Sequence, residues 1–492
     1  MSFATEVGGW RALSLRMGGW QPTIYHQFDV ARQLLIMGTS ENSKPNYKSD
    51  STEIRVTSPD AEEVYVFSLA GKHLRTLYGL TGAVKYLFTH DLNGDLIKVT
   101  DKYGQETIFT RDLVTRIVTS ITSPKGLVTV LDYNTNGYLK SVSNPNQEIY
   151  SFEYKDATSG LLSRFTKPEG QYSTFTYDSA GFLVKDEHSG GFSQTLRSEY
   201  NPSNSHSPRS NFITTSEGRV TISSMQNSLT TSKETHYQQS TPDGVYISSR
   251  NGSTASSVKD NKKLQSISYS FDPRHVGATY TSLIGLTMNK KTNVTSYERK
   301  ASLSNANDPF SIISLEYKER SVDGTKVSTY NPTNKEWSVV TSENRKSVSR
   351  MNAMEDIVQS QLGNLGPVKY SYLANGRLSK ISQSERTTSF YYDQNGFLSK
   401  TIDPIGRITT QRNDLVGKPI SITNPDGRTT HYEYDLNGNL ISMKLPTNQN
   451  NDRVHSFEYN EQELLSKYSP PLLSGNSATD YEYNLDKELT KI

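Results

Sequence analysis

Along most of this chain apolar and polar residues alternate in short runs, and turn residues interrupt the runs at regular intervals. In His431-Tyr432-Glu433-Tyr434 the alternation puts Tyr432 and Tyr434 on one face of a strand and His431 and Glu433 on the other. Asp435-Leu436-Asn437-Gly438 then reads as a turn, and Asn439-Leu440 as the start of a return strand. Asp at the first turn position and Gly at the fourth specify a type I turn closed by a left-handed residue. The Asp carboxylate accepts from backbone amides just ahead of it, and Gly tolerates positive φ because it has no Cβ. The frame is Tyr, then Gly four residues on, then Leu two residues after that. It recurs at Tyr133/Gly137/Leu139, Tyr177/Gly181/Leu183, Tyr372/Gly376/Leu378, Tyr392/Gly396/Leu398 and Tyr434/Gly438/Leu440. A repeat with this spacing predicts an array of hairpins.

Degenerate copies fill the gaps between these units. Phe67 and Gly71 hold the first two slots of one, and His90/Gly94/Leu96 another. The frame then places Arg111, Thr115 and Ile117 in the slots of the next unit. At Tyr154 the turn is longer, with Gly160 and Leu162 delayed. Further on, Asn413 keeps Gly417 and has Pro419 in the Leu slot, while Tyr459 and Tyr483 have Glu463 and Lys487 in the Gly slot and keep Leu465 and Leu489. The organisation expected is a non-repeat β segment at 1–60, repeats over 61–188, a degenerate β region with long loops over 189–368, and repeats over 369–492 that end within a unit. Within 1–60, strands are expected around Ile24–Phe28 and Leu34–Met37, and a polar loop over 39–52. Met351–Gln361 is expected to form a helical turn.

A second turn closes the other end of each unit, as in Ser123-Pro124-Lys125-Gly126, Lys167-Pro168-Glu169-Gly170, Asp403-Pro404-Ile405-Gly406 and Asn424-Pro425-Asp426-Gly427. Two turns per unit leave two strands, so the chain should run as an antiparallel meander. Aromatic residues also stand two positions before the Tyr slot, as in Phe152/Tyr154, Phe390/Tyr392 and Phe457/Tyr459. That step keeps both rings on one face, and neighbouring units are expected to stack them into an aromatic ladder. A sheet this long twists, so the fold expected is an all-β, hollow, spiralling β-shell.

Composition agrees with a wet-faced sheet. Mean hydropathy is −0.65, yet the 492 residues include 30 Tyr, whereas disordered chains are poor in aromatics. Net charge is +2, from 53 basic and 51 acidic residues, which lacks the basic excess of a nucleic-acid binder. There is no Cys, so disulfides, thiolate metal sites and a Cys nucleophile are excluded. No apolar run is long enough for a membrane helix, and Met1–Glu6 lacks the charged-then-apolar pattern of a leader.

Tyr-Asp-x-x-Gly-x-Leu, alternating with Asn424-Pro425-Asp426-Gly427-Arg428-Thr429, resembles the YD repeat of bacterial Rhs-family proteins. Teneurins and the cocoon-forming subunits of Tc toxin complexes share that repeat. Gly19-Trp20 through Asp29, Glu63–Phe67 through Gly82, and Tyr483–Ile492 are also similar to Rhs-type chains. The resemblance implies a β-shell that encloses a toxin domain or supports cell-surface recognition, in an extracellular or cell-surface setting. The self-cleavage motif and variable effector of the toxin-bearing members have no counterpart here. The expected function is therefore a non-enzymatic scaffold acting in surface interaction, without a cofactor. Its expected partners are a cell-surface protein or glycan, or an enclosed polypeptide. A truncated toxin-encapsulating shell and a carbohydrate-binding protein are the alternatives.

Candidate chemistry is sparse. Asp91-Leu92-Asn93-Gly94-Asp95 and Asp435–Asn439 look like calcium loops, but glycine falls where a hairpin needs it, and Lys102 and Pro446 stand where a calcium loop needs Glu. No zinc-protease helix, P-loop, nucleophile elbow or dinucleotide fingerprint occurs. Asn251 and Asn293 fit the N-glycosylation triplet, and His90 and His431 fall in strand register. Trp10, Trp20 and Trp337 lie outside the ladder and are the better candidates for stacking on sugars.

Overall fold

The computed structural model describes residues 26–492 apart from short segments at 38–39, 44–46, 200–208, 228–233, 242–243, 252–253, 260–262, 276, 289–290, 447–452 and 472–477, together with the short pair Ser2–Phe3 and Trp20–Gln21. Trp10, the residues from Pro22 to Tyr25, the Pro242-Asp243 and Gly252-Ser253 turns and the side chain of Trp20 lie outside the described residues. From Tyr47–Ser49 to Thr479–Asp480 the chain forms one continuous antiparallel sheet in which consecutive strands are neighbours. This is the meander that the alternating turns predict.

The local reason is visible in every unit. Strand Thr429–Tyr434 pairs with Leu440–Leu445 through His431↔Lys444, Tyr432↔Met443 and Glu433↔Ser442, and the register shifts at Tyr434, which faces Leu440. Gly438 sits at φ 90°, its amide donating to the Asp435 carbonyl at 3.0 Å, while the Asp435 amide donates to the Asn439 carbonyl at 3.0 Å. The proline turns use the same construction. The Gly427 amide donates to the Asn424 carbonyl at 2.9 Å, with φ 81° at Gly427. Both ends of a unit are thus type I turns with a left-handed closing residue, and each reverses the chain at nearly constant length.

Through the middle of the chain the hairpins lengthen, and Lys291–Leu303 runs for 13 residues beside Ile312–Ser321. Three expectations about the elements are corrected. Ser40–Ser43 and Tyr47–Ser49 are strands, paired with Leu34–Met37 and Glu53–Thr57, so the polar stretch 39–52 is not one loop. Alternating Ser and Asn side chains are compatible with a strand whose faces are both polar, and hydropathy cannot distinguish that from a loop. Met351–Gln361 holds no helical turn. Met351 ends strand Lys346–Met351 and faces Ile357 of the next strand, with Glu355 at φ 62° between them. It is one more repeat unit, with Met in the Tyr slot and Glu in the Gly slot. In the Arg111 unit the left-handed residue is Arg116, at φ 63°, and Arg111 faces Val118. The turn is one residue longer than the frame assumed, so Thr115 and Ile117 do not hold the slots.

Most of the apolar core lies along one sheet face, but strand Glu63–Ser68 is buried on both, with Val64, Val66 and Leu77 forming a separate cluster beside Phe310 on the other face. One cluster joins Phe28, Leu35, Ile54, Val56, Tyr65 and Phe67, where the N-terminal strands cover the sheet. Another runs strand by strand through Phe88, Leu96, Val99, Phe109, Val118, Leu131, Leu139 and Phe152. The slot tyrosines do not stack ring on ring as the ladder expectation had it. Successive slots are two strands apart, about 9.5 Å, beyond the 4.5–7 Å of an aromatic pair. The ring contacts that do form are with residues of the turn or return strand: Tyr154 stacks on Tyr138 at 4.9 Å, and Phe152 and Phe457 meet Phe165 and Tyr468 at 5.3 and 5.4 Å.

Candidate functional site

The Tyr slot is where the repeat does more than set a shape. The Tyr434 hydroxyl donates to the Pro419 carbonyl at 3.0 Å. Pro419 holds the Leu slot of the preceding unit, just beyond the last paired residues of that ladder, Ser421↔His431. Its carbonyl would otherwise lack a strand partner. The same bond joins Tyr154 to Leu139, Tyr177 to Leu162, Tyr372 to Ile357, Tyr392 to Leu378, Tyr459 to Leu440 and Tyr483 to Leu465, at 2.8–3.1 Å. Where Asn413 and Arg111 stand in the Tyr slot another donor takes over, whereas Phe67 and Met351 bring none. Asn413 Nδ2 reaches the Leu398 carbonyl at 2.8 Å, and the Arg111 guanidinium reaches the Leu96 carbonyl at 3.0 Å. Burial, with smaller contributions from Tyr432 and Asp414, raises the Tyr434 phenol pKa, and burial with Tyr138 pushes Tyr154 up to about 12, so both remain protonated donors. Tyr133 is the exception, because its buried hydroxyl has no partner.

Tyr434→Phe is expected to lower stability by about 1 kcal/mol, since it strands a carbonyl without changing the ring. Faster amide exchange confined to residues 419–445 would check this; exchange that matches the unchanged chain would remove the interaction from the account.

Of the other signature residues, Gly137, Gly181, Gly376, Gly396 and Gly438 all sit at φ between 80° and 90°. Leu139, Leu183, Leu378, Leu398 and Leu440 each face the Tyr of their own unit across the turn. These residues lie in separate units and converge on no common cavity. His90 and His431 sit in strand register. Asn293 is exposed on a long strand, and Asn251 lies in strand Gly244–Asn251. Trp337 packs between Tyr317 and Tyr330 at 5.2 Å from each. Among the described residues no group of three His, Asp or Glu side chains is arranged to hold a metal ion.

The arrangement that sequence reasoning missed is a seam between distant turns. Proline-type turns of the first half meet Tyr-Asp turns of the second. Asn146 Nδ2 donates to Asp414 at 2.9 Å, and its Oδ1 accepts from the Leu415 amide at 3.1 Å. The Leu436 amide donates to Glu169 at 2.8 Å, and the Glu169 amide to Asn437 Oδ1 at 3.1 Å. Gln462 donates to the Gly190 carbonyl at 3.1 Å, and the Leu485 amide to Glu217 at 3.0 Å. These partners are 267–272 residues apart. Ion pairs run along the same line: Lys102–Asp356 at 2.6 Å, Lys418–Glu148 at 3.2 Å, Lys167–Glu463 and Arg219–Glu488. Burial opposes the charge on Lys102, but Asp356 and Tyr78 outweigh it and hold the ammonium above the usual lysine range. The residues concerned are ordinary polar turn residues, and no sequence signal marks them.

An all-β hairpin array with tyrosine-stapled turns defines a repeat scaffold of the YD-shell class. Residues 51–492 match the Teneurin YD-shell family, and the chain belongs to that family. It is 33% identical to Teneurin-m of Drosophila melanogaster over 139 residues and 35% identical to mouse Teneurin-3 over 129 residues. Those stretches cover 28% and 26% of this chain and 5% of each relative, so the chain matches a small part of either protein. Among solved structures it is similar to TcdB2-TccC3-Cdc42, at 13% identity and TM-score 0.39, covering 89% of this chain and 25% of that one. It is likewise similar to the Photorhabdus luminescens Tc holotoxin pore, at 11% identity and TM-score 0.36, covering 91% and 29%.

Proposed function

We propose that the sheet winds into a hollow, spiralling β-shell, and that this shell is a non-catalytic scaffold for recognition at a cell surface. The observation that carries the reading is the seam. In a meander the two kinds of turn lie on opposite edges of the sheet. Opposite edges that meet again and again at separations clustered near 270 residues are what a ribbon wound as a helix produces. A wound sheet hides one face and leaves the other to solvent, and exposed surface on a rigid frame is where recognition is commonly placed. The YD-shell family supports the frame; the surface setting and the partner, a cell-surface protein or glycan, are part of the proposal. The same winding encloses a volume, which favours a second reading, a shell around another polypeptide.

Small-angle scattering on the purified chain, combined with protease treatment of intact source cells, tests this. A hollow particle and removal of the protein by external protease are expected. A flat, extended particle would overturn the winding, and full protection from protease would overturn the surface role. A stoichiometric second polypeptide in the purified particle would favour the enclosing shell instead.

A further inference from the structure

Beyond the repeats, the long hairpins of the middle region form an open cleft of about 730 Å³ with the Pro59–Glu62 turn, within the usual 300–1,000 Å³ of small-ligand sites. Strand register decides what its floor presents. Tyr297 lies directly opposite Glu319, and Arg299 directly opposite Tyr317, so these four side chains form a square on one sheet face. Lys326 pairs with Glu319 on that face, its ammonium 3.8 Å from the carboxylate. The Thr279 amide donates to the Pro59 carbonyl at 2.9 Å and fixes the opposing wall, which carries Asp60 and Glu62.

The square is held rigid from below. The guanidinium of Arg299 lies 4.8 Å from the ring centres of both Tyr280 and Tyr317. Its Nη1 donates to Asp272 at 3.0 Å, and the Asp272 side chain is wholly buried. Asp272 is itself fixed by the amides of Arg274, at 3.0 Å, and His275, at 3.2 Å. Trp337 packs against Tyr317. One guanidinium edge is thus spent on Asp272, and Arg299 keeps further N–H donors on a group with no freedom to turn. Tyr297 carries no stacked ring or cation among the described contacts.

We infer that this cleft is a carbohydrate-binding site, which stacks a neutral pyranose ring on Tyr297 and holds its hydroxyls between Arg299 and Glu319. A sugar hydroxyl both donates and accepts, and the floor supplies a fixed donor, Arg299, beside Tyr297 along its strand and an acceptor, Glu319, beside it across the strands. The spacing of about 5 Å between adjacent strands matches the width of one pyranose ring. Competing ligands fit worse. An apolar molecule would strip water from the remaining Arg299 N–H donors and from the Glu319 carboxylate without replacing it. A polyanion would meet Asp60, Glu62 and Glu319, and a basic peptide would meet Arg299 and Lys326. The inference deepens the surface-recognition reading by naming a ligand class and rests on it for its biological sense. The binding itself is tested on purified chain and does not depend on where the protein resides.

The test is an array of neutral and acidic oligosaccharides probed with the full chain, followed by titration of the best neutral binder. Neutral glycans are expected to be retained, with affinity falling about tenfold or more in Tyr297→Ala. Glu319→Gln, which keeps the side-chain shape, should weaken binding while leaving the circular dichroism and melting curve unchanged, and so covers the case in which Tyr297→Ala misfolds. No retained glycan, retention of acidic glycans only, or affinity unchanged in both variants would overturn the site. A failure of this kind would leave the wound scaffold and its surface role untouched, because those are read by scattering and protease.

Discussion

Gly376→Ala is expected to destabilise the chain far more than Gly427→Ala, although the two glycines share a backbone conformation. Both sit at φ 81° in the same kind of turn. A Cβ in that left-handed region costs about 1–2 kcal/mol at either position. The surroundings differ. A Cβ at Gly427 would meet nothing within 4 Å, whereas at Gly376 it would lie 2.1 Å from the Tyr103 ring. Tyr103 belongs to the opposite side of the seam, where Gln105 Nε2 also donates to the Asn375 carbonyl at 2.9 Å. Tyr103 is further held by Lys102, whose ammonium lies 5.1 Å from the ring centre and is itself paired with Asp356. The ring has little room to retreat, so overpacking adds about 1–3 kcal/mol to the shared strain. Urea unfolding of the two variants measures the difference directly, because the backbone contribution cancels. Equal midpoints would mean that the seam is open in solution, and the wound shell would fall with it.

How much could be read from the sequence depended on how local the physics was. The hairpin period, the left-handed glycines and the alternation of faces are consequences of neighbouring residues, and Tyr434, Gly438 and Leu440 sit where their local chemistry puts them. The unit at Met351, Glu355 and Ile357 was illegible because none of its slot residues is diagnostic. Its turn is instead organised by Asn352, whose Oδ1 accepts from the Met354 amide at 2.9 Å and the Asp356 amide at 2.9 Å. Arg116 escaped notice because one extra residue in the turn moved the left-handed position past Thr115.

The reason for Tyr rather than Phe in the slot was available but unused. The replacements Asn413 and Arg111 share no shape with Tyr, only a side-chain donor. That points to a bond to be kept, and both make it. The seam carried no such clue. Glu169, Asn146 and Gln462 would be unremarkable in any solvent-facing turn. Their partners lie so far along the chain that only the accumulated twist and curl of the intervening strands brings them together. Local pattern therefore specifies the ribbon, while the winding proposed for it would be a property of the whole sheet.

Where the N-terminal strands cover the sheet, mild acid is expected to loosen the structure by several kcal/mol. His26 and His73 are buried there beside Tyr65, Phe67 and Phe88. The His26 backbone amide donates to His73 Nδ1 at 3.1 Å, and Thr76 Oγ1 lies 3.1 Å from His73 Nε2. Nδ1 must then be an acceptor, and a proton added there would set two donors against each other. Burial, only partly opposed by Glu63, lowers the His26 pKa to about 4. Burial with His26 and His90 nearby lowers His73 well below the ordinary value, and burial with Lys72 lowers His90. Each group therefore binds more protons unfolded than folded between its lowered pKa and about 6.5, and stability falls with pH across that window. It is at its full value above pH 6.5. For His26 alone the loss amounts to about 2 kcal/mol at pH 5 and about 3 kcal/mol by pH 4. The other two imidazoles add to this, and only the chain around residues 26–99 should feel the effect first. His26→Phe keeps the ring, and the imidazole Nδ1 it removes has no partner. That variant should recover about 2 kcal/mol of the loss at pH 5 while matching the parent chain at pH 7.5. Urea midpoints of both chains at the two pH values decide it. A parent chain with the same midpoint at pH 7.5 and pH 5 would show that these imidazoles reach water in solution and that the N-terminal strands do not seal the sheet.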